Sequence, residues 1–189
     1  HLQSLQQEGY TFETIKKRGY KLLAVPDRVD FGQLKQLLTT KRYGQQVHYF
    51  ERVESTQLVA HDLVRQGVPD GTLVIAEHQT AGRGRMQREW ESSEGKGIWM
   101  TLIIRPEIAP HQAPQFTLVT AVAVVNAMKV SFQNFTPQIK WPNDILVNGK
   151  KTTGILTEMI AEENRIQALL IGIGINVNQE QADFPDALQ

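Results

Sequence analysis

The chain has 189 residues, no cysteine, 20 Lys+Arg balanced by 20 Asp+Glu, and 41% hydrophobic residues, the composition of an ordinary globular protein. Without cysteine there is no disulfide scaffold, Cys-ligated zinc, iron–sulfur cluster or thiol nucleophile, and a chain of this length buries roughly 70% of its unfolded surface without such staples. Apolar stretches such as Leu118 to Val125 break off before the roughly 20 residues of a membrane span, and no basic-then-apolar signal peptide opens the chain, so a soluble, cytoplasmic protein without a membrane partner is expected.

Zero net charge hides an asymmetry. Residues 1–43 carry eight Lys/Arg against four acids, and the remaining 146 carry twelve against sixteen. A small nucleic-acid-facing piece attached to a larger neutral body has this pattern, and so does a solvated basic patch. The chain opens on His1, with no initiator Met and at once in helix pattern, as expected of a fragment.

Leu2 and Leu5 are spaced as on a helix face, and Gly9 ends that pattern. Tyr10 to Lys17, then Arg18-Gly19, then Tyr20 to Ala24 show the alternation and glycine turn of a short hairpin. A helix followed by a basic hairpin is the order found at the end of a winged helix-turn-helix. Pro26-Asp27 breaks the unit, and Asp30 is placed to cap a helix from Phe31 to about Leu38.

The body begins with a strand over Val47 to Val53, after which Ser55 or Thr56 caps a helix ending near Gly67. Leu73 to Glu77 reads as a buried strand running into a loop from His78 to Trp90, and Ile98 to Ile104 as another strand. Pro114 to about Phe132 has helical periodicity and is rich in Ala and Val, which predicts a buried helix. The remaining strands are Ile139 to Trp141 with Ile145 to Val147, Thr152 to Ile160 across the Asn148-Gly149 turn, and Ile166 to Asn176 after Glu163-Asn164. The reading is α+β with a mixed, largely antiparallel sheet and helices on one side.

Chemistry concentrates in two places. In Gly82-Arg-Gly-Arg85, with Arg88 and Trp90 close behind, backbone amides can approach an anion while guanidinium groups clamp it. The same composition also fits a flexible solvated loop or an RNA-binding Arg-Gly tract, although a single motif between apolar strands is unlike the long disordered tracts of that kind. In Ile139-Lys-Trp-Pro-Asn-Asp144, Lys140 lies on a strand that Pro142 stops, so its ammonium can either point into a cleft or be solvated, while Trp141 is expected to pack. The pair in Gly172-Ile-Gly174 lacks the third glycine of a dinucleotide fingerprint and reads as a strand closely approached by a ligand or another backbone. No Walker sequence and no Gly-x-Ser-x-Gly are present, and the five histidines show no metal spacing, so no metal ligand is assigned.

Gln79-Thr-Ala-Gly-Arg-Gly-Arg-Met-Gln-Arg-Glu-Trp90, Lys140-Trp-Pro-Asn-Asp144, Gly154-Ile-Leu-Thr-Glu158 and Gly172-Ile-Gly-Ile-Asn176 together resemble the catalytic domain of biotin protein ligases, in order and across most of residues 45–180. The hairpin at 10–24 resembles the wing of the DNA-binding domain in the bifunctional, Bacillus-like members, which are both ligase and biotin-operon repressor. The resemblance implies three segments: 1–25 as the end of a winged-helix domain, 26–43 as a linker with a short helix, and 44–189 as the catalytic domain, with most of the helix-turn-helix and the small C-terminal β-barrel lacking. It further implies an adenylate-forming biotin-[acetyl-CoA-carboxylase] ligase. Such an enzyme makes biotinyl-5′-AMP from biotin and ATP with Mg2+, then passes biotin to a lysine of the biotin carboxyl carrier protein. Operator DNA for the full-length protein and a homodimer are further expected partners.

By the same resemblance, Arg85 and Lys140 supply charge at the biotin carboxylate and the α-phosphate. Arg88 and Trp90 hold triphosphate and adenine, and Asn176 contacts the adenine side. Ser55, Thr56 and Gln79 match ureido-binding positions, with helix capping as the other reading of the first two. Gly82, Arg83 and Gly154 offer backbone contacts to biotin. Two other functions fit less well: a lipoate ligase, against which the paired Gly-Arg-Gly-Arg and Lys-Trp-Pro-Asn-Asp motifs speak, and a ligand-responsive DNA-binding repressor without catalysis, against which the intact Arg85 and Lys140 speak.

Overall fold

The computed structural model describes residues 1–7, 9–26, 29, 31–132, 134–162 and 165–184. Asp27, the expected Asp30 cap and the Glu163-Asn164 turn lie outside the described residues. The chain forms two compact units, 1–30 and 31–189.

In the first unit, α1 (Leu2–Gln7) ends before Gly9, whose φ of +92° favours glycine. β1 (Thr11–Ile15) and β2 (Gly19–Ala24) then form the expected antiparallel hairpin, with Ile15 opposite Gly19. The Arg18 N–H closes the turn on the Ile15 carbonyl at 2.9 Å.

The second unit opens with α2 (Phe31–Leu37). Residues 42–46 are fastened to the body: the Gly44 N–H donates to the Gly71 carbonyl at 2.8 Å, the Leu73 N–H to the Gln46 carbonyl at 2.9 Å, and Arg42 Nε to Asp70 Oδ2. β3 (Val47–Val53) follows, and α3 (Thr56–Arg65) starts where Ser55, in extended backbone, accepts the Gln57 N–H at 3.3 Å. Gly67, at φ +80°, ends it. This β3–α3 crossover lets β4 (Leu73–Gln79) pair parallel with β3. All other pairs among β5 (Gly97–Ile104), β6 (Gln138–Lys140), β7 (Asp144–Val147), β8 (Lys150–Glu162) and β9 (Arg165–Asn176) are antiparallel, in the order β3-β4-β5-β9-β8-β7-β6. The fold is α+β with a mixed, mostly antiparallel seven-stranded sheet.

The helices do not share one side of that sheet, contrary to expectation. Along β9, Leu169, Ile171 and Ile173 pack with Ala121 and Val125 of α4 (Gln115–Ser131), while the alternating Ala168 and Leu170 pack with Ala60, Leu63 and Val64 of α3. Successive side chains of a strand point to opposite faces, so α3 and α4 cover opposite faces.

Nor is α4 a buried helix. Only Ala121 and Val125, one turn apart, are fully enclosed, whereas Val119, Val122 and Val130 are exposed. Pro110–Ser131 is also long and apolar enough to cross a membrane, with mean hydropathy 1.3, against the expectation that no stretch is. Here it lies on β6, β7 and β8, tied by a 2.9 Å hydrogen bond between the Thr117 and Thr157 hydroxyls. Trp141, expected to pack, is 75% exposed, because β6 ends at Lys140 and Trp141 falls in the following turn.

Candidate active site

β4 runs two residues beyond the expected Glu77, and that extension brings Gln79 to the start of α3. Gln79 Oε1 accepts from the Thr56 N–H at 2.8 Å and from the Thr56 hydroxyl at 3.0 Å, and Gln79 Nε2 donates to Ser92 Oγ at 2.8 Å. Gln57 is 3% exposed, and its Nε2 donates to Glu158 Oε2 at 3.2 Å. Glu158 also faces His61 Nε2 at 3.5 Å and Arg83 Nη2 at 4.0 Å.

The loop after β4 folds back on itself. The Gly84 N–H donates to the Arg88 carbonyl at 2.8 Å and the Trp90 N–H to the Gly82 carbonyl at 2.9 Å, so that the backbones of Arg83 and Glu89 pair antiparallel. Its tip holds a tight turn, Arg85–Gln87, in which Met86 and Gln87 both have positive φ, 57° and 58°. Gly82 has no room for a side chain: a Cβ there would stand 2.2 Å from the Trp90 carbonyl oxygen.

Trp90 is seated by the later glycines. Cβ atoms at Gly154 and Gly174, paired across β8 and β9, would meet its indole at 2.5 and 2.4 Å, and one at Gly172 would meet Gln57 at 3.2 Å. The close approach expected at Gly172 and Gly174 is therefore made by two side chains rather than by a backbone. Trp99 meets the Trp90 ring edge-on at 6.5 Å, and Lys151 Nζ stands 5.2 Å from the ring centroid. Trp90 Nε1 and Asn176 Oδ1 are buried polar atoms without a partner, while Asn176 Nδ2 donates to the Lys151 carbonyl at 3.4 Å.

Arg85 joins the two motifs that carry cations. Its Nη1 donates to Asn143 Oδ1 at 3.1 Å, and Asn143 is held on β8 by the Ile155 N–H at 2.9 Å and by its own Nδ2 on the Ile155 carbonyl at 3.3 Å.

Ser55, Thr56, Gln79, Arg83, Arg85, Trp90 and Gly154 line one cleft of about 450 Å³, open mouth included. Gly82 lies buried under the loop, while Lys140 and Arg88 are exposed and stand outside the lining. Lys151, which sequence reasoning did not single out, lies inside it and pairs with Asp144 Oδ1 at 2.9 Å. Plain alternation from Gly154 would put Lys150 on the cleft face, but a register shift, with Ile145 opposite Thr153 and Leu146 opposite Lys151, brings Lys151 there instead. Gln57 and Asn143 were also missed, although one follows the Ser-Thr of the helix start and the other sits inside Trp141-Pro-Asn-Asp144.

Ser55, Thr56 and Gln79 gather at one part of the wall, Arg83, Arg85 and Lys151 supply cations, and Trp90 and Leu156 supply apolar surface. Such a lining suits a ligand with a neutral polar head, an apolar stem and an anionic end. Among the described residues, no three His, Asp or Glu side chains converge as a metal cage.

Residues 49–176 match the biotin/lipoate A/B protein ligase family. Over all 189 residues the chain is 50% identical to the bifunctional ligase/repressor BirA of Bacillus spizizenii and spans 58% of that protein's length. A biotin protein ligase from Aquifex aeolicus, solved in complex with biotin and ATP, superposes with a TM-score of 0.61 at 31% identity, over 76% of this chain and 56% of that one. The biotin protein ligase of Leishmania major, in complex with biotinyl-5-AMP, gives 0.61 at 28% identity, over 74% of this chain and 61% of that one. The chain belongs to the biotin/lipoate A/B protein ligase family.

Proposed function

We propose that this chain carries the catalytic domain of a biotin-[acetyl-CoA-carboxylase] ligase, which adenylates biotin and passes it to a lysine of the biotin carboxyl carrier protein. The cleft carries this reading, because it sets Thr56 and Gln79 in one continuous wall with Arg83, Arg85 and Lys151. Biotin is a neutral cyclic urea on an apolar chain ending in a carboxylate, and each part has a matching portion of that wall.

In the first step a biotin carboxylate oxygen attacks the α-phosphorus of ATP, and pyrophosphate leaves. In the second the carrier lysine amine attacks the acyl carbon, and AMP leaves. Two anions must meet in the first step, so the contribution of the site is charge and orientation. Arg85 is assigned to the carboxylate and α-phosphate, anchored by Asn143, and Lys151, lining the same cleft, is assigned a share of that work. Lys140 is assigned the same role, which from its exposed position requires the turn at 141–143 to close over the ligand. Arg88 and Trp90 would hold the nucleotide, with Asn176 Oδ1 as an acceptor on the adenine side. Ser55, Thr56, Gln79, Gly82, Arg83 and Gly154 form the biotin side. ATP would enter as its magnesium complex, the ion held by the phosphates rather than by a protein cage.

Residues 1–25 read as the end of a winged-helix domain, 26–43 as a linker and 44–189 as the catalytic domain of a longer cytoplasmic protein that represses a biotin operon, dimerises and binds operator DNA. Exchange of labelled pyrophosphate into ATP tests the enzymatic reading: it should depend on biotin. Exchange driven by lipoate instead would assign the lipoate branch, and no exchange despite biotin binding would favour a repressor without catalysis.

A further inference from the structure

Hydrogen bonds under the cleft run in one direction. Thr101 Oγ1 donates to Thr56 Oγ1 at 2.9 Å, and the Thr56 hydroxyl and N–H both donate to Gln79 Oε1. Gln79 Nε2 donates to Ser92 Oγ, and Ser92 Oγ donates to the Trp90 carbonyl at 3.0 Å. Groups with no alternative fix this polarity. A carbonyl can only accept, so Ser92 spends its proton on Trp90 and must accept from an N–H. A backbone N–H can only donate, so the Gln79 oxygen must face Thr56. Turning the amide over would set donor against donor at Thr56 and strip the Trp90 carbonyl of its partner.

The consequence falls on Thr56. Its hydroxyl proton is held by Gln79 and one lone pair by Thr101, so it has only a lone pair to offer a ligand. We propose that Thr101 and Ser92, 0% and 1% exposed and outside the cleft lining, are positioning residues that hold Thr56 as an acceptor, and that this polarity selects a ring N–H of the ureido group. The proposal rests on the reading of the cleft as a biotin site.

Calorimetric titration of the 189-residue chain with biotin, and with the two cyclic carbamates in which one or the other ring N–H is replaced by oxygen, tests this. The wild-type chain should prefer biotin to one carbamate by at least about tenfold, since that oxygen would set lone pair against lone pair at Thr56. Thr101→Val removes the donor at nearly constant volume and leaves the Thr56 hydroxyl held by Gln79 alone, with one restraint fewer on its turning. Biotin affinity should fall about tenfold and the preference should collapse, while Thr101→Ser restores both. Ser92→Ala should lower the preference in the same direction, and it carries the test alone if Thr101→Val does not fold. A purely structural role would weaken all three ligands alike. An unchanged preference in the variants, with biotin still bound by the wild-type chain, overturns the relay alone. Absence of biotin binding by the wild-type chain overturns the biotin reading and this proposal with it.

Discussion

Gly154 lies beneath Trp90 because the indole occupies the space a side chain there would need: a Cβ on Gly154 would stand 2.5 Å from the ring. Its cross-strand partner Gly174 completes the seat. Two motifs far apart in sequence thus act on a third, since the later glycines fix the Trp that ends the Arg-rich loop. The backbone φ at neither glycine is unusual, so space alone demands glycine.

Gly154→Ala should therefore displace the indole while the sheet persists. Overpacking of this kind costs about 1–3 kcal/mol. Tryptophan fluorescence should report the displaced ring, and the KM for ATP should rise by roughly tenfold, a larger effect than the loss of biotin affinity that follows from crowding the biotin side at Gly154. Equal losses for both ligands would refute the assignment of Trp90 to the nucleotide side.

Arg85→Gly should weaken retention of biotinyl-5′-AMP more than it weakens biotin binding. Its guanidinium reaches Asn143 from the loop, and a charge-assisted bond to the phosphate would disappear with it. Such bonds contribute about 1.5–3 kcal/mol, or roughly ten- to a hundredfold in adenylate dissociation. Dissociation rates by stopped-flow fluorescence check this, with Asn143→Ala expected to show a smaller effect in the same direction.

Local chemistry was readable in the sequence, and partners distant along the chain were not. Asn148 and Gly149 take φ values of 51° and 76°, as an Asn-Gly hairpin turn requires, and Ser55 caps α3 as its residue type suggests. The face of each element was harder to read. Ala168 to Ile171 is an unbroken apolar run, and that run, rather than alternation, is the mark of a strand buried on both sides. Read in this way it places α3 and α4 on opposite faces. Four motifs supplied most of the cleft lining, but Lys151 stands in none of them, and only the β7–β8 pairing brings it to Asp144.

Acid should loosen the contact that fastens residue 42 to the body. Burial pushes the Asp70 carboxyl up, but the Arg42 hydrogen bond, the Arg105 N–H and the charges of both outweigh it, leaving the carboxyl below its ordinary value. The sign follows from linkage. A depressed carboxyl contributes stability that is fully present above its unfolded value, about 3.9, and is lost as pH falls through the lower folded value. Asp70→Asn should lower Tm by about 1–4 °C at pH 7, and the difference from wild type should shrink below about pH 4. A pH series of thermal melts on both proteins tests this, and a gap that persists in acid would contradict it.

Toward DNA the 189-residue chain should show only weak, salt-sensitive attraction without preference for sequence. Lys16, Lys17, Arg18 and Lys21 lie on the β1–β2 hairpin and its turn, where ammonium and guanidinium groups can reach phosphates. Phosphate contacts position a protein, whereas sequence is read chiefly at base edges, most often by a helix lying in the major groove. The helix of this unit, Leu2–Gln7, is six residues long and carries no charged side chain, too little to span the groove and grip its walls. Removing a cation that neutralises one phosphate should reduce the dependence of log affinity on log salt by nearly one. Replacing Lys16, Lys17 and Arg18 together by alanine should therefore flatten the salt slope by about 2–3, equally on operator and scrambled duplex. Fluorescence anisotropy over a salt series measures both quantities, and a clear preference for operator would mean that the hairpin reads bases rather than backbone.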